Sequence, residues 1–205
     1  MVRKTKEEAQ ATRCQLLDAA QRVFCERGVS HTSLHEIATE AGLTRGAVYW
    51  HFENKAALLA ALWERASLPI DALVEELEQK YAEDPLGGIE NKMLAVLRLI
   101  SENQQAQEIT SIVLTKCEYV EENDAVRQHF VDMREQCLDE VEGKFRAAIE
   151  KGQIPADTPA RTAALGLFAI FDGACFHWLM DPARYPLMPH AELLVRSYIK
   201  GLRQS

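Results

Sequence analysis

Hydrophobic residues recur at helical spacing along most of the 205-residue chain. In one short segment Leu34, Ile37, Ala38 and Ala41 stand at i, i+3, i+4 and i+7, which is the spacing of one helix face. No run alternates apolar and polar positions as a half-buried strand does, and the sequence contains no internal repeat. The pattern predicts an all-α protein of about nine helices.

Glycine, proline and capping residues indicate where these helices begin and end. Gly28 follows the first helix at a position typical of glycine, and Ser33 with Glu36 has the form of a capping box. Asp84-Pro85 places a proline at the first position of the fifth helix, where its missing amide is tolerated. The predicted spans are about 7–27, from Thr32 or Ser33 to 41, 44–52, 55–80, from 85 to an end within 102–107, 105–118, 123–151, 159–180 and 190–203.

The second and third predicted helices have the features of a helix-turn-helix. Gly42 supplies a residue that tolerates positive φ in the turn, and Ala38 is small enough for the crossing of the two helices. Ile37, Leu43 and Val48 would close the core beneath them. Because the second helix of this motif lies in the DNA major groove, the sequence predicts a DNA-binding head.

The remaining face of the third helix carries side chains that suit DNA. Arg45, near its start, is placed for a bidentate contact with a guanine edge. Tyr49 and His51 can donate to phosphates, and Tyr49 can also contact a thymine methyl. Trp50 fits either the core or the DNA surface, and both interpretations stay open, whereas Phe52 is predicted to be core.

Further candidates for DNA contact flank this face. Thr32 and Ser33 could bond a phosphate through a hydroxyl or an amide. Lys55, in the first turn of the fourth helix, is unfavourable for the helix dipole, and a phosphate partner would explain it. Gly46 costs a helix about 1 kcal/mol relative to alanine, which close approach of the backbone to DNA would offset.

The net charge of −8 is unevenly distributed. Residues 1–55 hold eight Lys and Arg against seven Asp and Glu, a net of +1, and the remaining 150 residues hold 15 against 24, a net of −9. Arg3, Lys4 and Lys6 form a small basic arm. This distribution indicates a DNA-binding head on an acidic body and argues against a ligand-independent architectural DNA binder.

Other classes of protein are disfavoured. The five cysteines lack CxxC or zinc-finger spacing, and His31 lies outside the helix that carries His35, so neither disulfides nor a metal site is predicted. No glycine-rich phosphate loop, GxSxG or HExxH motif suggests an enzyme, and no cofactor is expected. No secretory signal is visible, and the apolar stretch 165–180, interrupted by Asp172 and His177, is shorter than the about 20 residues of a membrane span. We expect a cytoplasmic protein in which this stretch is a buried helix.

Several segments resemble the TetR/AcrR family of transcriptional repressors. They are Thr44–Phe52 (TRGAVYWHF), Asn54-Lys55 at the start of a long helix, and Thr32–Leu34 before the motif. Arg3–Gln10 (RKTKEEAQ) and the tripeptide Lys116-Cys117-Glu118 are similar to the local repressors of RND multidrug efflux pumps. The resemblance implies a helix-turn-helix domain at 1–54 and an effector-binding and dimerisation domain at 55–205.

The resemblance also implies three sets of site residues. The DNA-contacting positions are Thr44, Arg45, Gly46, Tyr49, Trp50, His51 and Lys55, with Arg3 and Lys4 as a minor-groove arm. The positions that resemble an effector pocket are Trp63, Ser67, Ile70, Ile109, Val113, Cys137, Val141, Phe168, Asp172 and Phe176. The last two helices would dimerise, with Trp178, Leu194 and Tyr198 as the candidate contacts.

Asp172 is the candidate polar anchor of that pocket. A carboxylate among phenylalanines is costly unless it is paired or solvated. A structural hydrogen bond or ion pair across the dimer seam would satisfy it equally well, and both interpretations stay open. Cys117 could sense oxidants, but a buried, inert thiol is favoured because nothing in the sequence indicates a depressed pKa.

The expected function follows from these sites. A homodimer would read two major-groove segments roughly 34–36 Å apart on a pseudo-palindromic operator in double-stranded DNA. A small hydrophobic or amphipathic effector would shift the fourth helix and favour release, provided that it binds the two states with different affinities. Alternatives within the same fold are a regulator of lipid, quorum-signal or other metabolic genes, or an activator; a helical enzyme is a remote alternative.

Overall fold

The computed structural model describes residues 6–117 and 124–204, with side chains throughout except at 68–72, 124–125 and 204. Within these ranges the chain forms nine helices and no strand, which confirms the all-α prediction. The helices are α1 Lys6–Arg27, α2 Leu34–Glu40, α3 Arg45–His51, α4 Lys55–Lys80, α5 Pro85–Glu102, α6 Gln104–Thr115, α7 Asp124–Glu150, α8 Ala160–Met180 and α9 Leu187–Gln204.

The boundaries follow the local sequence signals closely. Gly28 ends α1 with φ +81°, and Ser33, the second of the two predicted starting residues, caps α2. Asp84 caps α5 by accepting the Gly87 amide at 2.9 Å. The largest differences are of three residues: α6 ends at Thr115, before its predicted end at 118, and α9 begins at Leu187, before its predicted start at 190. Pro189 is tolerated there because amides of the first turn have no partner within the helix.

The chain divides into two compact units, which we call the N-unit (Met1–Ala66 with Glu108–Phe130) and the C-unit (Ser67–Gln107 with Val131–Ser205). The division therefore lies inside α4, and the domain boundary at 54/55 that the family resemblance implies stays a prediction. The start of α4 belongs to the N-unit because Leu58 and Leu62 are buried with its core. That core also contains residues of α1, α2 and α3 and, from α6, Ile112.

The C-unit is built around the packing of α5, α8 and α9. Leu97, Leu167 and Ile199 contribute fully buried side chains from these three helices. The Tyr198 hydroxyl on α9 donates to the Ala163 carbonyl on α8 at 2.8 Å. Gly166 makes room for this contact, since a Cβ there would overlap the Tyr198 hydroxyl oxygen.

The apolar helix α8 differs from the expectation of a buried helix. It is 21 residues long, and only 28% of its most apolar window is buried. By length and composition alone this helix could cross a membrane. These two properties are weak evidence for a membrane span, because core helices of soluble proteins share them. One face, including Leu167 and Cys175, is buried, while Leu165, Phe176 and Met180 on the other are exposed. The expectation was therefore right for one face of the helix and wrong for the other.

Candidate nucleic-acid interface

The helix-turn-helix is built as the sequence predicts. Thr44 caps α3 by accepting the Ala47 amide at 3.3 Å. Gly42 adopts φ +67° in the turn, and the Leu43 amide donates to the Ala38 carbonyl at 2.8 Å. Ala38 and Val48 are fully buried where α2 and α3 pack together. The core side of α3 is thereby fixed, and its remaining side chains face outward.

The outward face of α3 is defined by three large side chains, those of Arg45, Tyr49 and Trp50. The Arg45 guanidinium carbon lies 5.5 Å from the centre of the Tyr49 ring, so the two side chains form one cation–π pair. Tyr49 is 49% exposed and Trp50 is 72% exposed, whereas Phe52 is buried. The open question about Trp50 is thus answered in favour of the surface. The His51 ring packs edge-on against the Trp50 indole, with 4.5 Å between ring centres.

Gly46 has no role inside the protein that would require glycine. Its φ is not positive, and a Cβ would find Thr44 Oγ1 as its nearest neighbour at 3.9 Å, an ordinary van der Waals contact. An alanine would therefore fit and would favour the helix. The absence of a side chain at this exposed position is consistent with the predicted close approach to DNA.

An open groove of about 540 Å³ runs beside this face. It is lined by residues 30–34 and Glu36, from the α1–α2 turn and the start of α2, and by Tyr49 and residues 53–55, from α3 and the start of α4. Accepting the Ser33 amide and hydroxyl lowers the pKa of the Glu36 carboxyl below its ordinary value. The groove therefore contains both the predicted phosphate donors and an ionised carboxylate.

The predicted phosphate donors in the groove have protein partners. The buried Thr32 hydroxyl donates to the Gly28 carbonyl at 2.8 Å. The Ser33 amide and hydroxyl donate to Glu36 at 2.7 and 2.8 Å. Lys55 Nζ donates to the Val29 carbonyl at 3.0 Å. Phosphate contacts at Thr32 and Ser33 would have to compete with these bonds, whereas the Lys55 ammonium has three N–H donors and can bond more than one acceptor. All three phosphate contacts stay predictions. Arg3 and Lys4, the predicted minor-groove arm, lie outside the described residues.

The candidate effector residues fall in both compact units. Trp63, Ile109 and Val113 belong to the N-unit, and Ile109 is buried there. The rest belong to the C-unit and are Ser67, Ile70, Cys137, Val141, Phe168, Asp172 and Phe176. The side chain of Ile70 lies outside the described residues. A common pocket for the two groups stays a prediction.

Asp172 is paired within the C-unit. Both of its carboxylate oxygens accept hydrogen bonds from the Arg134 guanidinium on α7. The Arg134 guanidinium carbon also lies 5.2 Å from the centre of the Phe168 ring. Sequence reasoning missed Arg134, although it stands at i−3 from Cys137 and i−7 from Val141, on the same face of α7.

The predicted dimerisation residues differ in exposure. Leu194 is 46% exposed and its neighbour Leu193 is 68% exposed, but Trp178 is buried within the C-unit. Tyr198 is half-buried and bonded to Ala163. The exposed apolar residues on α8 and α9, which we call the apolar stripe, are Leu165, Phe176, Met180, Leu193 and Leu194.

Four of the five thiols, those of Cys25, Cys117, Cys137 and Cys175, are shielded from solvent at least in part, whereas Cys14 is exposed. Burial raises the pKa of Cys175 to about 12, and burial with the nearby Glu108 carboxylate raises the pKa of Cys25 to about 11. Burial also raises the pKa of Cys117, in agreement with the interpretation of an inert thiol. Among the described residues no group of three metal-ligating side chains is found.

Comparison with known proteins relates nearly the whole chain to transcriptional regulators. The family model for bacterial regulatory proteins of the tetR family matches residues 16–62, and that for the C-terminal region of MAATS-type transcriptional repressors matches 84–204. The HTH-type transcriptional regulator TtgR of Pseudomonas putida is 37% identical over 205 residues, covering 100% of this chain and 98% of TtgR.

Solved structures of related regulators show the same fold. NalD, described as the secondary repressor of the MexAB-OprM multidrug efflux pump in Pseudomonas aeruginosa, matches with a TM-score of 0.84 and 32% identity, covering 96% of this chain and 98% of NalD. A SmeT–triclosan complex matches with a TM-score of 0.79 and 29% identity, covering 93% and 91% of the two chains.

Proposed function

The chain belongs to the TetR family of bacterial regulatory proteins, and we propose that it represses a multidrug efflux operon and leaves its operator when a hydrophobic or amphipathic compound binds. It is a helix-turn-helix transcriptional repressor, like its relatives over its full length. The observation that carries the proposal is the outward face of α3, where Arg45, Tyr49 and Trp50 project from a helix fixed by a buried core.

Operator binding would use this face for base contacts and its edges for phosphates. Arg45 is assigned a guanine edge, and its stacking on Tyr49 restricts the guanidinium before DNA arrives. Gly46 lets the backbone approach, while Thr44, Trp50 and His51 contact the sugar–phosphate backbone. The arm of Arg3 and Lys4 adds minor-groove contacts.

A homodimer would place two such faces on a pseudo-palindromic operator, one helical turn or roughly 34–36 Å apart. The apolar stripe supports this assembly, because it exposes large apolar side chains on two helices that pack against each other, and exposed apolar surface marks interaction sites. Leu194 would lie at the contact itself. Trp178 and Tyr198 would support it from within the C-unit, where they pack.

The effector would act through the residues of α4, α6, α7 and α8 that resemble a pocket. The related regulator SmeT forms a complex with triclosan, which supports a small organic compound as the effector of this chain. The effector can release DNA only if it binds the DNA-free state more tightly than the DNA-bound state. Relatives that repress multidrug efflux pumps support a cytoplasmic protein that responds to compounds entering the cell.

Fluorescence anisotropy with the promoter fragment of its own locus tests the proposal. Wild-type protein should bind this duplex tightly, and Arg45→Ala should weaken binding by about 1–3 kcal/mol, the contribution of one bidentate base contact. Arg22→Ala is the matched control, since Arg22 is an exposed arginine of α1 that pairs with Glu40. Equal binding by Arg45→Ala and wild type would reject α3 as the reading helix.

A further inference from the structure

An ion pair on the C-unit joins α7 to α8 among the candidate effector residues. Both oxygens of the Asp172 carboxylate on α8 accept hydrogen bonds from the Arg134 guanidinium on α7. The Arg134 guanidinium carbon lies 5.2 Å from the centre of the Phe168 ring, and Phe168 precedes Asp172 by one helical turn. The guanidinium, the carboxylate and the ring therefore form one group, which we call the Arg134 cluster (Arg134, Phe168 and Asp172).

Neighbouring charges on the C-unit are paired as well. The Glu135 carboxylate, next to Arg134 on α7, accepts a hydrogen bond from Arg161 on α8. Further along α7, Glu140 lies 3.8 Å from Lys92 on α5, measured between Oε2 and Nζ. Because each of these charges has a partner of opposite sign, the charge at the Arg134 cluster is set by its own two charged side chains. Their sum is zero.

The arrangement of the pair suits recognition better than support. Both side chains are partly exposed, and ion pairs open to water contribute little to stability. A guanidinium that is held by a carboxylate and stacked on a ring, in contrast, is ordered for contact with planar and anionic groups. The bonds to Asp172 use two N–H groups, and a guanidinium carries further N–H donors that a hydroxyl or an acid on a bound compound can meet.

The geometry points to Arg134 as the residue that sets the charge class of the effector. By neutralising Asp172, Arg134 removes the preference for cations that a lone carboxylate would create, and its guanidinium favours neutral or acidic aromatic compounds such as phenols. The aromatic part of such a compound would lie beside Phe168, and its hydroxyl or acid would bond Arg134. This inference rests on the proposed function, since it concerns the effector that the function requires.

Removing either charge of the pair should change the charge preference of the site in opposite directions. Without Arg134, the Asp172 carboxylate attracts a cationic headgroup and repels an anionic one. Without the carboxylate, the Arg134 guanidinium does the reverse. An uncharged compound should be little affected by either change. A pair that only braced α7 against α8 would produce no such opposite change, because loss of either partner would then act on all compounds alike.

The test measures binding of three probes that share a pyrene ring and differ in the charge of the headgroup. They are 1-pyrenemethylammonium, 1-pyrenemethanol and 1-pyrenecarboxylate, and their fluorescence reports binding to wild type, Arg134→Met and Asp172→Asn. Wild type should bind the cation no more tightly than the neutral probe. Relative to the neutral probe, Arg134→Met should gain about 10-fold in affinity for the cation. Asp172→Asn should gain about 10-fold for the anion, the order expected for charges that water partly screens.

Lys144→Met is the matched control. Lys144 also lies on α7, pairs with Glu78 at 3.1 Å and has a side chain that is 50% exposed, against 46% for Arg134. This variant loses the same charge from the same helix and should keep the probe preferences of wild type. Equal behaviour of Arg134→Met and Lys144→Met, or no binding of any probe, would overturn the inference. If circular dichroism shows that Arg134→Met does not fold, Asp172→Asn, which preserves the size of the side chain, decides the question.

A separate titration distinguishes failure of this inference from failure of the proposed function. The neutral probe is added to wild-type protein bound to a labelled operator duplex, and anisotropy reports release of the DNA. If the probes show the expected opposite shifts in affinity but the operator stays bound, release by an amphipathic compound fails as proposed, while the role of Arg134 in charge selection stands. If the operator is released but the two substitutions leave the charge preference unchanged, only the inference about Arg134 fails.

Discussion

Replacing Gly46 with alanine should stabilise the free protein and weaken operator binding in the same molecule. The substitution adds one methyl group to the outward face of α3, where the nearest neighbour, Thr44 Oγ1, lies 3.9 Å away. No clash opposes the change inside the protein. Any loss of DNA binding must therefore arise from contact with DNA itself.

The size of the stabilisation follows from helix propensity. Alanine is preferred to glycine in a helix interior by about 0.8–1.0 kcal/mol. For a protein of this size, a change of that magnitude raises the midpoint of thermal unfolding by roughly 2–4 °C. The position near the start of α3 makes this an upper value, since the first turn of a helix is less constrained than its middle.

The assay pairs thermal unfolding without DNA with anisotropy titration of the operator. Gly143→Ala is the matched control, because Gly143 is also helical and exposed and a Cβ there would meet no atom within 4 Å. Both variants should be more stable than wild type, and only Gly46→Ala should lose operator affinity, by about tenfold or more if the backbone lies against DNA. Wild-type affinity in Gly46→Ala would refute the close approach of α3.

Three further results are expected. Gly42→Ala should destabilise the protein by about 1–2 kcal/mol in denaturant unfolding, since Gly42 has φ +67°, and an unchanged midpoint would contradict this. Leu194→Arg should shift the dimer towards monomer in light scattering. The control Val131→Arg should not, although Val131 is 45% exposed and Leu194 46% exposed. Equal behaviour of the two variants would exclude the apolar stripe as the dimer contact. A thiol reagent at pH 8 should label exposed Cys14 quickly and Cys175 only after unfolding. Because folding raises the Cys175 pKa from 9.0 to about 12, this thiol contributes stability that is complete below pH 9 and lost between pH 9 and 12.

The local part of the fold could be predicted because its signals lie within a few residues of one another. Ser33 and Glu36 form the predicted capping box, Thr44 caps α3, and Gly42 takes the positive φ that its place in the turn requires. Each of these features satisfies a backbone group or a backbone angle, so the residue type alone carries the information. Most of the other helix boundaries could be predicted from residue type for the same reason.

The contacts of the candidate sites could not be predicted in the same way, because they join residues distant in sequence. Lys55 was assigned a phosphate on the basis of its unfavourable place in a helix, and the structure supplies Val29 as a partner. Asp172 was recognised as a carboxylate that needs a partner, but the sequence did not show that Arg134 supplies it. In both cases local chemistry predicted that a charged side chain needs a partner, and only the fold shows which residue that partner is.

The ties between α1, α4 and α6 bear on how an effector signal could reach DNA. Gln21 on α1 donates to Glu108 on α6 at 2.5 Å and accepts from Arg65 on α4 at 2.8 Å. At the other end of α6 the Lys116 carbonyl accepts the Val29 amide. The part of α6 from Glu108 onwards is thus bonded at both ends to other parts of the N-unit. An effector that contacts Ile109 and Val113, as proposed, would touch the N-unit itself, which carries the helix-turn-helix. Its effect on DNA binding would therefore not depend on a shift of α4 alone.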